Sequence, residues 1–143
     1  MLVANLLEQK GTMVVTIGGD ATVGAVVAEL ARHRVGALVV SPDGLTIDGI
    51  VSERDIVRNL SELHGDLLAE PVTSIMSTAV QTCLPSDDVG TIMSLMTEHR
   101  IRHVPVVQDG RLCGIISIGD VVKSRIVELE KDRNELMEYI TAR

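Results

Sequence analysis

Phenylalanine and tryptophan are absent from the 143 residues, and Tyr139 is the single tyrosine. The core must therefore be built from Val, Ile, Leu, Ala and Met, and any flat ligand must lie between aliphatic side chains. Cysteine is scarce: Cys83 and Cys113 form no CxxC and have no second pair, so neither a disulfide framework nor a zinc site is indicated. Positive charge is in deficit, with a net charge of -7 and a pI near 5.0, which argues against bulk capture of nucleic acid or an anionic membrane. No apolar run reaches membrane-spanning length, because Lys10, Asp20, Glu29 and Arg32 interrupt the N-terminal half. The start MLVANLLEQK has no basic leader and no cleavage site, so it reads as a short docking helix rather than a signal peptide. Two reduced thiols and a cytoplasmic location are expected.

What is present is said twice. Residues 14–58 and 80–123 align at a shift of 66, matching Val23-Gly24 with Val89-Gly90, His33-Arg34 with His99-Arg100, and Asp43-Gly44 with Asp109-Gly110. After a one-residue difference in the loop, Gly49-Ile50, Ser52, Asp55 and Val57 match Gly114-Ile115, Ser117, Asp120 and Val122. An internal repeat of this length sets the architecture before any element is assigned.

Each copy changes its periodicity in the same order. A β-rich run (Val14 to Ile17; Val80 to Cys83) leads to a helix start that Thr22 or Asp87 can cap. The helix carries an apolar stripe, Val23, Val26, Val27, Leu30 and Ala31 in one copy and Val89, Ile92, Met93 and Met96 in the other. Two strand-like runs follow around an Asp-Gly turn: Ala37 to Val40 with Ile47 to Val51, then Val104 to Val107 with Leu112 to Ile116. A second helix starts at Ser52 or Ser117. The spacing predicts a mixed α/β fold of two β-α-β-β-α repeats. The divisions are an N-terminal helix (1–13), a first repeat (14–60), a linker (61–79), a second repeat (80–124) and a C-terminal helix (125–143). From Val121 to Ile140 the apolar positions Val122, Ile126, Leu129, Leu136 and Ile140 keep 3–4 spacing, with Arg133 at one expected apolar place. That helix either covers the core or forms an oligomer.

The doubled Gly-Ile-Val-Ser-Glu-Arg-Asp at 49–55 and Gly-Ile-Ile-Ser-Ile-Gly-Asp at 114–120, with Arg100-Ile101-Arg102-His103-Val104-Pro105-Val106-Val107, closely resembles the CBS domain family. The resemblance covers nearly the whole chain. It implies that the copies pack their three-stranded sheets with pseudo-twofold symmetry and leave two clefts. Such tandem pairs, or Bateman modules, commonly bind AMP, ADP, ATP, NAD(H) or S-adenosylmethionine there, require no metal, and associate as flat homodimers.

By that resemblance Asp55 and Asp120 take the ribose hydroxyls, a task suited to an ionised carboxylate, which only accepts hydrogen bonds. Read without it, Ser-x-x-Asp after an apolar strand is close to a capping box, and the two roles are compatible. Ser52 and Ser117 stand where helix amides can face an anion. Arg54, Arg102 and His103 would supply charge-assisted bonds to phosphate. Gly119 replaces Arg54 in the second copy, and Gly36-Ala37 replaces Arg102-His103 in the first, so the clefts should differ in affinity. Thr16 and Thr82 would line the clefts, Val35, Gly36 and Ile101 would edge the base, and Lys10 could reach a phosphate. His33 and His99 read as helix-end residues rather than metal ligands.

The leading reading is an adenine-nucleotide or energy sensor acting in signal transduction through an unidentified protein effector. The alternative is a structural interaction module with degenerate sites. An enzyme is disfavoured, since no GxGxxG, P-loop, GxSxG or metal-ligand cluster is present.

Overall fold

The computed structural model describes residues 1–62 and 65–142. Leu63 and His64 of the linker and Arg143 of the C-terminal helix lie outside the described residues. Helix α1 (Val3–Lys10) precedes the first copy, which runs β1 (Thr16–Ile17), α2 (Val23–His33), β2 (Ala37–Val40), β3 (Gly49–Ser52) and α3 (Glu53–Glu62). Two 3₁₀ turns, Leu67–Ala69 and Val72–Ser74, lead to the second copy: α4 (Val89–His99), β4 (His103–Gln108), β5 (Arg111–Ser117) and α5 (Ile118–Thr141).

In the first sheet β1 pairs parallel with β2 and β2 antiparallel with β3, with Thr16 opposite Val39 and Leu38 opposite Val51. In the second, β4 and β5 pair antiparallel, with Val104 opposite Ile116. The expected strand Val80 to Cys83 is reduced to one parallel bridge, Cys83 to Val106. In the first copy Val39 N–H donates to Val15 O at 3.3 Å, whereas the matching residue of the second copy, Pro105, has no amide to offer Gln81. Beyond the bridge, the Leu84 amide is taken by the Asp87 carboxylate at 2.7 Å.

That use of Asp87 also corrects the expected helix cap. Thr22 caps α2, accepting from the Ala25 amide at 3.2 Å, but α4 is capped by Asp88, which accepts from the Gly90 amide at 2.9 Å. The buried stripes are narrower than the sequence pattern, consisting of Val23, Val26 and Leu30 on α2 and Val89, Ile92 and Met96 on α4. Val27 and Ala31 are exposed.

Each copy is completed by the segment that precedes the other. Val3, Leu6 and Leu7 of α1 belong to the core of the second copy, with Val89, Ile92, Val104 and Ile116. Leu67, Val72 and Ile75 of the linker belong to the core of the first, with Val23, Val26, Leu38 and Val51. Full burial of each such side chain stabilises by about 1.5–3 kcal/mol. The backbone clasps match: Val3 N–H donates to Asp87 O at 2.8 Å and Val89 N–H to Met1 O at 2.9 Å, while Val72 N–H donates to Ala21 O and Val23 N–H to Glu70 O, both at 2.8 Å. Glycine permits the close fit. A Cβ on Gly114 would stand 2.8 Å from Leu7 Cδ2, and one on Gly49 would stand 2.7 Å from Met76 Sδ. Leu7 is thus the structural counterpart of Met76.

The second helix of the second copy and the C-terminal helix are one continuous element, α5. Past Ser124, no described residue of it is buried.

Candidate functional site

The two Ser-x-x-Asp motifs form helix caps at the ends of β3 and β5. Asp55 Oδ2 accepts from the Ser52 amide at 2.8 Å, and Asp120 Oδ2 accepts from the Ser117 amide at 2.9 Å. In return Ser117 Oγ accepts from the Asp120 amide at 3.2 Å. Each motif also lines a cavity, so capping and a place in a cleft coexist.

The first cavity, about 290 Å³, is walled by Ser52, Glu53, Arg54, Asp55 and Arg58 from the first copy and by Ser77, Gln81, His99, Arg100, Ile101, Arg102 and His103 from beyond it. The second, about 420 Å³, is walled by Ser117, Asp120 and Ile115 of the second copy, Lys10 of α1, and Met13, Val14, Val15, His33, Arg34, Val35 and Gly36. These volumes sit near the lower end of ligand pockets, roughly 300–1,000 Å³.

Charge is divided unequally. Arg54 and Arg102, expected from separate copies, converge on the first cavity, where Arg58 and Arg100 join them against Glu53 and Asp55. The second cavity has Lys10 and Arg34 against Asp120. An acidic chain thus concentrates guanidinium groups at one cleft. Arg54 Nη1 donates to the Arg100 carbonyl at 3.2 Å, tying the two copies across the cleft.

Lys10, expected to reach a phosphate, lines the second cavity. Its Nζ donates to Asp120 Oδ2 at 2.6 Å and to the Ile115 carbonyl at 2.7 Å. Burial alone would push the Asp120 carboxyl up, but the bonds from Lys10 and Ser117 outweigh it and hold the carboxyl below its usual range. His103 opens β4 and borders both cavities. Burial lowers its proton affinity, against the opposing pull of Glu53.

Three sequence-chosen residues stand outside the cavity walls. Thr16 and Thr82 do not line either cavity, since Met13 to Val15 and Val80 to Gln81 supply those stretches of wall. Gly119 borders an apolar groove with Ile118, Val122 and Ile126 instead, because a helix turns about 100° per residue and carries it away from Ser117 and Asp120.

Conversely, Arg34, Arg100, His33 and His99, which the sequence motifs do not single out as ligand contacts, all line cavities. The signal was present in the repeated His-Arg pair. Arg34 and Arg100 end α2 and α4 in the left-handed conformation, with φ of 54° and 53°, which costs a non-glycine residue about 1 kcal/mol. His33 Nε2 lies 3.0 Å from Glu29 Oε2 on its own helix. Among the described residues no three His, Cys, Asp or Glu side chains cluster to hold a metal, and no helix is long and apolar enough to cross a membrane.

The sequence profile of the CBS domain matches residues 12–62 and 72–126. The chain belongs to the CBS domain family. The tandem CBS fold is shared with a solved CBS-domain protein of Agrobacterium tumefaciens, ATU1752, at 42% identity and a TM-score of 0.84, covering 87% of this chain and 99% of that one. The CBS domain protein PAE2072 of Pyrobaculum aerophilum, solved in complex with AMP, matches at 33% identity and a TM-score of 0.77, covering 91% and 97%. Among curated CBS proteins, mitochondrial CBSX3 of Arabidopsis thaliana is 37% identical over 131 residues, 85% of this chain and 61% of that protein. YhcV of Bacillus subtilis is 29% identical over 123 residues, 86% of each.

Proposed function

We propose that this chain is a regulatory module that binds adenosine phosphates in its two clefts and reports their level by a change of shape, without catalysing a reaction. The carrying observation is that each cleft presents one helix-capping carboxylate, Asp55 or Asp120, beside an excess of cations. A carboxylate there suits the vicinal hydroxyls of ribose, and the cations suit phosphate. The AMP complex of the Pyrobaculum relative supports the ligand class. No metal is needed for either contact.

Occupancy shifts the protein between states to the degree that ligand binds them unequally. The face that would carry the signal is α5, where Val122, Ile126, Leu129, Leu136 and Ile140 are each about half exposed. Their 3–4 spacing fits a second copy of the chain in a homodimer.

The test is thermal unfolding with AMP, ADP, ATP, NAD, NADH and S-adenosylmethionine, with guanosine compounds as controls. A ligand at a hundred times its Kd adds about 2.7 kcal/mol to the native state. Stabilisation by adenosine compounds that disappears when Asp55 and Asp120 are both replaced by Ala supports the reading. No shift with any of them favours an interaction module with degenerate clefts.

A further inference from the structure

The clefts are related by the repeat, yet they are not charged alike. The packing that sets Leu7 under Gly114 as Met76 sits under Gly49 diverges just beyond these residues: the Ile50 carbonyl accepts from the Ser77 backbone amide at 2.9 Å, whereas the matching Ile115 carbonyl accepts from the Lys10 ammonium. One cleft therefore has a backbone amide where the other has an ammonium. That ammonium bonds both the Asp120 carboxylate and the Ile115 carbonyl, and it is held there by α1, whose Val3, Leu6 and Leu7 are buried in the second core. Both side chains of the pair are largely shielded, at 28% and 23% exposure.

We propose that Lys10 sets the ligand specificity of the second cleft, admitting adenosine compounds that carry a 5′-phosphate and disfavouring those that do not. This rests on the assignment of Asp120 to the ribose diol. A nucleoside reaching Asp120 offers two neutral hydroxyls for a charge-assisted bond and leaves the shielded ammonium unpaired, which costs more than the new bonds return. A nucleotide offers the same hydroxyls and also an anion for the displaced ammonium. The lysine stem is flexible and its root is fixed at the last turn of α1, so the head group can turn from carboxylate to phosphate without the helix leaving its core. At the first cleft the cation facing Asp55 is Arg58, 3.8 Å away and well exposed, so a ligand there strands no shielded charge.

The test measures AMP and adenosine binding by calorimetry in Asp55→Ala protein, where the second cleft keeps the only complete Ser-Asp pair. AMP should bind more tightly than adenosine. Adding Lys10→Met, which keeps the stem length and removes the charge, should raise adenosine affinity about tenfold while lowering that of AMP, and Lys10→Arg should restore the preference for AMP. An AMP-to-adenosine ratio unchanged by Lys10→Met, in protein that unfolds at the temperature of its parent, overturns the Lys10 assignment alone. Binding of both ligands that survives the further replacement Asp120→Ala, or binding of neither to the Asp55→Ala protein itself, removes the diol assignment and this inference with it.

Discussion

Gly36 is kept bare by His103. A Cβ at residue 36 would stand 3.1 Å from Cε1 and 3.3 Å from Nε2 of the His103 ring, with Glu53 Oε1 at 3.4 Å, and both residues border both clefts. The partition between the clefts is thus one imidazole packed on one glycine. Gly36→Ala should displace the ring, destabilise the fold by about 1 kcal/mol, and weaken AMP binding at both clefts. Denaturant unfolding and calorimetry with two-site fitting check this; loss confined to one cleft would contradict a shared partition.

The same ring gives the fold a pH dependence of known sign. His103 has its proton affinity lowered in the folded protein, chiefly by burial. A depressed value means that its contribution to stability is fully present above the ordinary value of 6.5 and is lost as pH falls from there through the folded value. Unfolding midpoints measured between pH 7.5 and 5 should decline more steeply for the parent than for His103→Gln. Saturating AMP should move the ring resonances toward the protonated form at a fixed pH, because phosphate in either cleft favours the imidazolium.

Arg100 holds a left-handed backbone conformation at the wall of the first cleft. Arg100→Gly relieves about 1 kcal/mol of strain while loosening the unfolded chain by a similar amount, about 0.4–1 kcal/mol. Stability should stay within about 0.5 kcal/mol, whereas phosphate-bearing ligands should bind the first cleft more weakly. Arg54 also donates to the backbone carbonyl of residue 100, a bond glycine retains, so the effect isolates the guanidinium. A large stability loss would show that the side chain supports the fold instead.

The two thiols should separate chemically. Cys83 is 4% exposed and burial, followed by the charge of Asp87, pushes its thiol up to about 12. Cys113 is only partly buried and less protected. Since thiolate is the reactive form, iodoacetamide at pH 8 should label Cys113 before Cys83. For Cys83 the folded value is raised, so its contribution to stability is intact below the ordinary 9.0 and is lost as pH rises from 9.0 toward 12. Cys83→Ala should flatten that alkaline limb.

The sequence by itself determined the repeat, the order of elements and the two Ser-x-x-Asp caps, because these rest on contacts only a few residues apart. Ser117 and Asp120 cap each other across three positions, and the apolar spacing of α2 and α4 reports burial within single helices. Even locally it misjudged the start of α4, where Asp87 and Asp88 compete for free amides and Leu84 settles the choice. Tertiary structure alone decided which residues share a cleft. It set α1 into the core of the second copy, carrying Lys10 to a carboxylate 110 residues away. It bound Arg54 to a carbonyl 46 residues on, and it placed His103 between both cavities. No periodicity encodes such pairings, since they follow from how the two packed halves complete each other's cores.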